Sequence, residues 1–308
     1  MNKIKIGLSA LHYPVTMARY FWDALERRDD VEVYSVGPFF DDWIPWGGGL
    51  RLPRKYVKAP TVCLPQNAAQ LNMLYEMVAN QLPDDLDLFL QIDAGFHFAT
   101  RPKARITALI KTDPHALSEQ HYRVPAEYSD FVFGMQTPYL RQGEIYLPYA
   151  YAPEYHYPES AEKIYDACLI GLHYDTRNRL VMALQEKGYK VHYSIGEVYD
   201  EYRRIYNQSK VALSWSSLLD LPARNWEALA MGLPLVCNRV PDMSTFFVEN
   251  DHYLGFDTLE EAVSQVSMLL EDDDGAEDMG NRAYRKITSS GHRWDDRICQ
   301  ILELVKLI

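Results

Sequence analysis

The sequence predicts an α/β protein built from two Rossmann-like domains. Strand-like and helix-like segments alternate from the first residues. The strand-like segments are near-continuous apolar runs, which is typical of parallel sheets covered on both faces. The alternation restarts after residue 155, and 308 residues is an ordinary length for about two domains.

The first half opens with a strand, "KIKIGLSA", and a helix, "PVTMARYFWDALERR", whose apolar residues form one stripe. The strand "VEVYSV" follows. Four more predicted strands come after an irregular stretch: "LDLFLQID" (86–93), "ARITALIKTD" (104–113), "DFVFGMQ" (130–136) and "EIYLPYA" (144–150).

The second half repeats this order. Three strand–helix pairs are predicted, followed by the strand "LPLVC" and a helical tail from 258; the pairs are "YDACLIGL" with "DTRNRLVMALQEKG", "YKVHYS" with "EVYDEYRRIYNQ", and "KVALSW" with "RNWEALAM". The Pro- and Tyr-rich stretch "YAYAPEYHYPESAEK" suits an exposed linker. We therefore predict domains at 1–153 and 154–290. The acidic run "EDDDGAED" (271–278) is interpreted as a solvated joint between helices rather than a metal motif.

Composition excludes several classes of protein. A net charge of −12 argues against a large phosphate-binding surface, although not against a small basic pocket for one nucleotide. No apolar run is long enough to span a bilayer, and the N-terminus lacks the features of a secretory signal. The four cysteines are far apart and form no ligand motif. We therefore expect reduced thiols and a cytoplasmic protein without a membrane span.

The segment "ARNWEALAMGLPLVCNRVPD" (223–242) places Arg224, Asn225 and Glu227 on the predicted opening turn of a short apolar helix. In open α/β sheets, ligands bind beyond the carboxyl ends of the strands, against helix N-termini that attract anions. Arg224 adds a fixed positive charge for a phosphate, and the Glu227 carboxylate can accept both hydroxyl groups of a ribose. The alternative is that Glu227 only complements the helix dipole, and composition does not decide between the two.

The region 206–302 resembles the C-terminal half of GT-B glycosyltransferases, and more narrowly the spore-maturation (CgeB-like) group. That group has an Arg-x-aromatic-Glu-Ala-x-Ala-x-Gly-x-Pro core and a final His-x-aromatic-x-x-Arg helix. The matching residues here are Arg224, Trp226, Glu227, Ala228, Ala230, Gly232 and Pro234, then His292, Trp294 and Arg297. The likeness covers residues 130–305 well and the first 130 in outline.

The resemblance implies a GT-B fold: two Rossmann-like domains facing across a cleft, with a C-terminal helix (291–308) that packs back toward the N-terminal domain. The N-terminal domain would bind the acceptor, and the C-terminal domain a nucleoside-diphosphate sugar, UDP- or GDP-linked, with no other cofactor. Glu227 would hold the donor ribose. The donor diphosphate would lie among Gly171, Arg177 or Arg179, and the loop residues Ser216, Ser217, Leu218, Arg224 and Asn225. For each arginine, the alternative is a solvated helix residue.

One position departs from the family pattern. Many retaining GT-B enzymes carry a second glutamate eight positions before the one matched by Glu227, and here that position is Leu219, with Asp220 beside it. We favour retention of the sugar configuration over inversion, with Asp220 as a candidate replacement for the missing carboxylate.

Candidate catalytic residues of the first domain follow its predicted strands. Asp93 and Asp113 end apolar strands, and His97 stands close behind the first of them. His12 is a further candidate, and His97 has the alternative of a packed core histidine. No Asp-x-Asp motif lies in a strand–loop context, so we predict no metal ligands and metal-independent transfer. The loop 39–57, with aromatic residues and a triple glycine, fits either an acceptor-binding loop or a surface excursion.

The leading hypothesis is therefore a glycosyltransferase acting on an acceptor that the sequence does not identify: a glycan, a small molecule, a protein or modified DNA. Two alternatives stay open, a nucleotide-sugar epimerase or hydrolase and a catalytically silent nucleotide-sugar-binding protein. A NAD-dependent oxidoreductase is disfavoured, because neither first strand is followed by Gly-x-Gly-x-x-Gly.

Overall fold

The computed structural model describes residues 3–44, 50–93, 95–216 and 218–308. Contacts between residues divide the chain into two units. Unit 1 contains residues up to Pro148 together with Trp294–Ile308, and unit 2 is Tyr149–Arg293.

Unit 1 is built on a parallel sheet of seven strands. Its first nine elements, in chain order, are β1 (Ile4–Ser9), α1 (Met17–Glu26), β2 (Val31–Pro38), β3 (Val62–Leu64), β4 (Leu88–Asp93), β5 (Ile106–Lys111), α2 (Glu119–Tyr128), β6 (Phe131–Gly134) and β7 (Ile145–Tyr146). Short 3-10 turns occupy parts of the connections. The strand order is β3-β2-β1-β4-β5-β6-β7. Every residue of the central strand β4 is buried, which explains its unbroken apolar character.

Unit 2 is built on a parallel sheet of five strands with the order β12-β11-β10-β8-β9. Its elements are β8 (Tyr165–Ile170), α3 (Asp175–Glu186), β9 (Val191–Ser194), α4 (Tyr199–Asn207), β10 (Ser209–Ser214), α5 (Ala223–Ala230), β11 (Leu235–Asn238), α6 (Met243–Phe246), β12 (Leu254–Phe256), α7 (Leu259–Glu271) and α8 (Asp273–Ser289). Apolar residues of α3 and α7 pack with the sheet into one core. The acidic run lies at the α7–α8 joint, where Asp272 caps α8 by accepting a hydrogen bond from the Gly275 amide at 3.0 Å.

The last helix, α9 (Trp294–Leu304), belongs to unit 1. The Trp294 ring stacks on Tyr20 of α1 at 5.5 Å between centroids, and Asp295 forms a 2.9 Å ion pair with Arg27. Nε of Arg297 donates a hydrogen bond to the Pro148 carbonyl oxygen at 2.8 Å. Two of the three motif residues near the C-terminus therefore hold this helix in place.

Each sheet reverses its strand order at one point, and such a switch point opens a crevice beyond the strand ends. In unit 1 the point lies between β1 and β4, so the end of β4 at Asp93 borders it. In unit 2 it lies between β8 and β10. The predicted parallel α/β domains are confirmed. The residues next to these strand ends are the candidates for a functional site in each unit.

Candidate functional site

Arg177 spans the switch point of unit 2. Its Nε donates to the carbonyl oxygen of Trp215, just after β10, and its Nη1 donates to that of Leu172, just after β8, both at 2.8 Å. The side chain is 6% exposed although it belongs to the first turn of α3. A guanidinium group therefore forms the floor of the crevice between the two strand ends.

Arg224 reaches the same place from the first turn of α5. Its Nε donates to the Ile170 carbonyl oxygen at 2.8 Å. The next residue is Gly171, with φ +149°, and a β-carbon on it would lie 2.2 Å from Nη2 of Arg224 and 3.5 Å from Nη1 of Arg177. Glycine is required here because the two arginines meet over its backbone.

The described part of the protein compensates these two cations only in part, since the nearby Asp220 carboxylate acts on Arg177 electrostatically. Among the described residues, no carboxylate forms an ion pair with either arginine, and the buried Nη1 of Arg224 has no hydrogen-bond partner. Burial, together with the neighbouring Arg224, lowers the pKa of Arg177 to about 10. No side chain caps the N-terminus of α5, although the Asn225 amide donates a hydrogen bond to the Pro222 carbonyl oxygen at 3.1 Å. Such a set of donors is chemically suited to an anion with several oxygen atoms.

Arg179, the alternative to Arg177 in the sequence, lies elsewhere. Its side chain is 61% exposed and forms an ion pair with Asp175, one turn earlier on α3, at 3.2 Å. The structure therefore brings Gly171, Arg177 and Arg224 together and leaves Arg179 out.

The loop before α5 is anchored by Asn238 at the end of β11. The Ser216 amide donates to Oδ1 of Asn238 at 2.7 Å, and Nδ2 of Asn238 donates to the Ser216 hydroxyl at 3.2 Å. Ser217 lies outside the described residues. Leu218 is exposed, and its amide donates to Oδ1 of Asp220 at 3.4 Å.

Leu219, at the position of the expected glutamate, has φ +60° and an exposed side chain. Asp220 beside it is buried. A carboxylate is therefore present next to the position where the family pattern places one, although it is shifted by one residue and accepts a backbone hydrogen bond from Leu218.

Glu227 differs from the expectation in its position on the helix. Because α5 begins at Ala223, Glu227 is its fifth residue, and the first turn contains no acidic residue. The dipole alternative is thereby weakened, since that effect fades beyond the first turn. The Tyr202 hydroxyl donates to Oε2 of Glu227 at 2.8 Å, and Nε2 of His156 lies 3.7 Å from Oε1.

Asn225 is buried on the same helix. Its Nδ2 lies 3.8 Å from Sδ of Met243, and its Oδ1 has no partner within the described chain. The Nδ2 group is therefore directed toward α6, and Oδ1 has unused capacity to accept a hydrogen bond.

In unit 1, Asp93 lies between two histidines. Nδ1 of His97 is 2.8 Å from Oδ2 of Asp93, and Nε2 of His121 is 2.9 Å from each carboxylate oxygen. Oδ1 also accepts a hydrogen bond from the Gly95 amide at 2.7 Å. Burial alone would raise the pKa of Asp93, but the hydrogen bonds from His121 and His97 hold it below its usual value. The same contact with Asp93 raises the pKa of His121.

Asp113 is connected to this cluster through one hydroxyl group. Oγ1 of Thr112 lies 2.9 Å from Oδ2 of Asp113 and 3.1 Å from the Asp93 carbonyl oxygen. The His97 side chain is 19% exposed and its ring lies against Asp93, so the choice between a site residue and a packed core histidine stays open. His12, in contrast, is buried, its Nε2 lies 3.2 Å from the Val36 carbonyl oxygen, and burial lowers its pKa to about 4.

The loop 39–57 is described in part, because residues 45–49 lie outside the described ranges. Its described residues border a cavity of about 460 Å³; the lining consists of Phe40, Asp41, Asp42, Trp43, Arg51 and Gln66. Aromatic and carboxylate groups line it together, so both interpretations of the loop stay open.

Three residues near the candidate sites were missed from the sequence: His121, Tyr202 and Asn238. His121 lies on α2, a helix that contains Pro125 and for which the sequence analysis makes no prediction. Ser118 followed by Glu119 was the available sign of a helix start. Tyr202 and Asn238 contact their partners across 25 and 22 positions of the chain, respectively, and no local pattern reports such contacts.

Comparisons with known proteins agree with this fold. Residues 157–303 match the family model described as glycosyl transferase-like. Sucrose-phosphate synthase (tll1590) from Thermosynechococcus elongatus has a similar structure, with a TM-score of 0.67, 11% identity and 99% of each chain covered. The chain has the GT-B fold. No curated protein matches the sequence significantly.

Other GT-B structures are similar at the same level. An alpha-glucosyltransferase in complex with UDP-glucose and DNA containing an abasic site has a TM-score of 0.63 and 11% identity, covering 99% of this chain and all of that one. A protein described as a UDP-N-acetylglucosamine 2-epimerase from Listeria monocytogenes has a TM-score of 0.63 and 12% identity, covering 100% and 98%. Among the described residues, no helix of this GT-B chain combines the length and apolar character needed to cross a membrane.

Proposed function

We propose that this chain is a glycosyltransferase that takes a sugar from a nucleoside-diphosphate sugar. The observation that carries the proposal is the meeting of two guanidinium groups over Gly171, that of buried Arg177 and that of partly buried Arg224, with no ion pair to a carboxylate among the described residues. They lie at the switch point of a sheet, beside the N-terminus of α5, where a diphosphate is stabilised by both charge and backbone amides. The family match of residues 157–303 and the UDP-glucose complex of a structural neighbour support this assignment.

In this proposal the two arginines neutralise the diphosphate, so donor binding needs no divalent ion. Glu227 accepts hydrogen bonds from the ribose with the acceptor capacity that Tyr202 leaves unused. Ser216, Ser217, Leu218 and Asn225 stay as proposed contacts of the loop and helix start. The narrower likeness to the spore-maturation group stays a prediction, as do a UDP- or GDP-linked donor, retention of configuration and a cytoplasmic location.

Unit 1 supplies the acceptor contacts in this proposal, through Asp93, His97 and Asp113. Departure of the nucleoside diphosphate needs stabilisation of its negative charge, which the arginines provide. Some structural neighbours were solved in complex with DNA, including one with UDP and an HMU base, so modified DNA is one acceptor class to test beside glycans, small molecules and proteins.

The test is calorimetric titration with UDP, GDP and uridine. We expect Arg224→Ala to weaken diphosphate binding by about 1.5–3 kcal/mol, tenfold or more, and to leave uridine binding nearly unchanged. Arg179→Ala is the matched control, because it removes an exposed arginine of the same unit. Equal effects of the two substitutions would overturn the assignment. EDTA should leave the affinity for UDP unchanged.

An epimerase or hydrolase is the second candidate, favoured by the likeness to the Listeria monocytogenes protein. It predicts that UDP-sugars are converted or hydrolysed with no acceptor present. A silent binding protein, suggested by Leu219 at the glutamate position, predicts donor binding without turnover under any acceptor. Product analysis with and without a library of acceptors separates these three functions.

A further inference from the structure

The cluster of Asp93, His97 and His121 in unit 1 contains three side chains whose ligand atoms converge on one point. Nδ1 of His97, Nε2 of His121 and a carboxylate oxygen of Asp93 all lie within 4.8 Å of one another. The residues come from the end of β4, the loop after it and the first turn of α2. Two imidazole nitrogens and one carboxylate oxygen are a donor set that zinc and iron(II) sites use, whereas magnesium and calcium prefer oxygen ligands alone.

The charge of the cluster also favours a bound cation. Asp93 is fully buried, and a buried carboxylate is costly unless a cation accompanies it. Lys111 is its neighbour in the sheet register, but the Lys111 ammonium group is paired with Glu144 at 2.5 Å. Within the described ranges, no lysine or arginine forms an ion pair with Asp93. The histidines are its sole charge partners there.

The surroundings fit an ion that enters from solvent. The side chains of His97 and His121 are 19% and 23% exposed, so they offer an entry path to the buried carboxylate. The Gly95 amide fixes Oδ1 of Asp93, and Oγ1 of Thr112 fixes its backbone carbonyl, which is the kind of outer support that orients metal ligands. Three protein ligands leave one position of a tetrahedral ion open.

We propose that Asp93, His97 and His121 form a binding site for a divalent transition-metal ion, with zinc the preferred occupant. The nitrogen–oxygen distances of 2.8–2.9 Å are those of the metal-free, hydrogen-bonded state. Tetrahedral zinc ligands at bond lengths of about 2.1 Å are about 3.4 Å apart. Metal entry therefore requires the histidine nitrogens and the Asp93 oxygens to move apart by about half an ångström. Rotation of the two partly exposed histidine rings supplies this movement. This proposal is independent of the donor site. It assigns Asp93 and His97 to a metal ion instead of to direct acceptor contacts, and it changes the sequence-based prediction of no metal ligands.

The experiment measures metal binding by the full chain, produced without a histidine tag and stripped with a chelator. Titration with zinc chloride should show one tight site, and cobalt(II) should give visible absorption bands of nitrogen–oxygen coordination. His121→Ala and His97→Ala should each weaken zinc binding at least tenfold and remove the bands. Circular dichroism checks that each variant is folded; the partly exposed histidines are chosen instead of buried Asp93 to limit misfolding.

His173→Ala is the matched control, because His173 is an exposed histidine of unit 2 outside the cluster. It should bind zinc like the unmodified chain. Zinc affinity that is equal in the unmodified chain and in His121→Ala, or an absence of cobalt bands in the unmodified chain, would overturn the proposal and leave a hydrogen-bonded cluster. UDP affinity is measured on the same samples, so failure of this site and failure of the donor site are separate results.

Discussion

Arg224 lies so close to Gly171 that a single methyl group on the glycine would collide with its guanidinium nitrogen, at 2.2 Å from Nη2. The arginine is held there by a hydrogen bond from its Nε to the Ile170 carbonyl oxygen. The glycine has a backbone φ of +149°, which side chains with a β-carbon rarely allow. The position of this cation therefore depends on a residue 53 positions earlier in the chain.

Gly171→Ala should displace Arg224 and strain the backbone. We expect a loss of about 1–3 kcal/mol in the free energy of unfolding and about a tenfold or greater loss in UDP affinity. Gly188→Ala is the matched control, since Gly188 also has a left-handed φ, +90°, but no atom within 4 Å of the added carbon. Urea unfolding and calorimetry should show lower stability in both variants and lower UDP affinity in Gly171→Ala alone.

Inorganic pyrophosphate should stabilise the chain by itself, because its negative charge can pair with the guanidinium groups of Arg177 and Arg224. A ligand at 100 times its dissociation constant adds about 2.7 kcal/mol, which a thermal-shift assay detects readily. Arg177→Met should abolish the shift, and Arg179→Met should keep it. A shift of the same size in both variants would place pyrophosphate elsewhere on the protein.

Glu227 and Tyr202 offer a way to separate ribose binding from packing. Glu227→Gln should weaken UDP binding by about 1–3 kcal/mol, because a charged acceptor of two hydroxyl groups is lost. Tyr202→Phe removes the hydroxyl group that donates to Oε2, so it should lower stability by about 1–2 kcal/mol while UDP affinity is kept. If Glu227→Gln lowered stability alone, Glu227 would be a partner of Tyr202 and not a ribose ligand.

His12 should make unit 1 less stable in mild acid. Burial lowers its folded pKa from 6.5 to about 4, so the unfolded chain takes up the proton first as the pH falls. The free energy of unfolding is therefore unaffected by His12 above pH 6.5, falls as the pH decreases from 6.5 to 4, and changes no further below pH 4. The total loss of stability is about 3 kcal/mol. His12→Gln should show a smaller difference between urea unfolding at pH 7.5 and at pH 5. An unchanged difference would contradict this role.

Particular residues show what the sequence could predict. The pattern of a strand followed by a helix start predicts Arg224, and unbroken apolar runs predict the parallel strands. Gly171 is a prediction of the family resemblance alone. The sequence leaves the choice between Arg177 and Arg179 open. Two residues apart on a helix, their side chains lie on nearly opposite faces, and α3 has no side-chain cap that would show where the helix starts and which face meets the sheet. His121 lies on α2, whose internal Pro125 is untypical of a helix, so a local pattern gives little sign of it. The Tyr202–Glu227 contact joins residues 25 positions apart, and such pairing follows from packing alone.

The most direct measurement is a crystal structure of the chain with UDP. The account predicts phosphate oxygens within hydrogen-bonding distance of Nη1 of Arg224, with Gly171 and Arg177 beneath them and the ribose at Glu227. Clear density for UDP at another place, with the Arg224 nitrogen still unpaired, would contradict it.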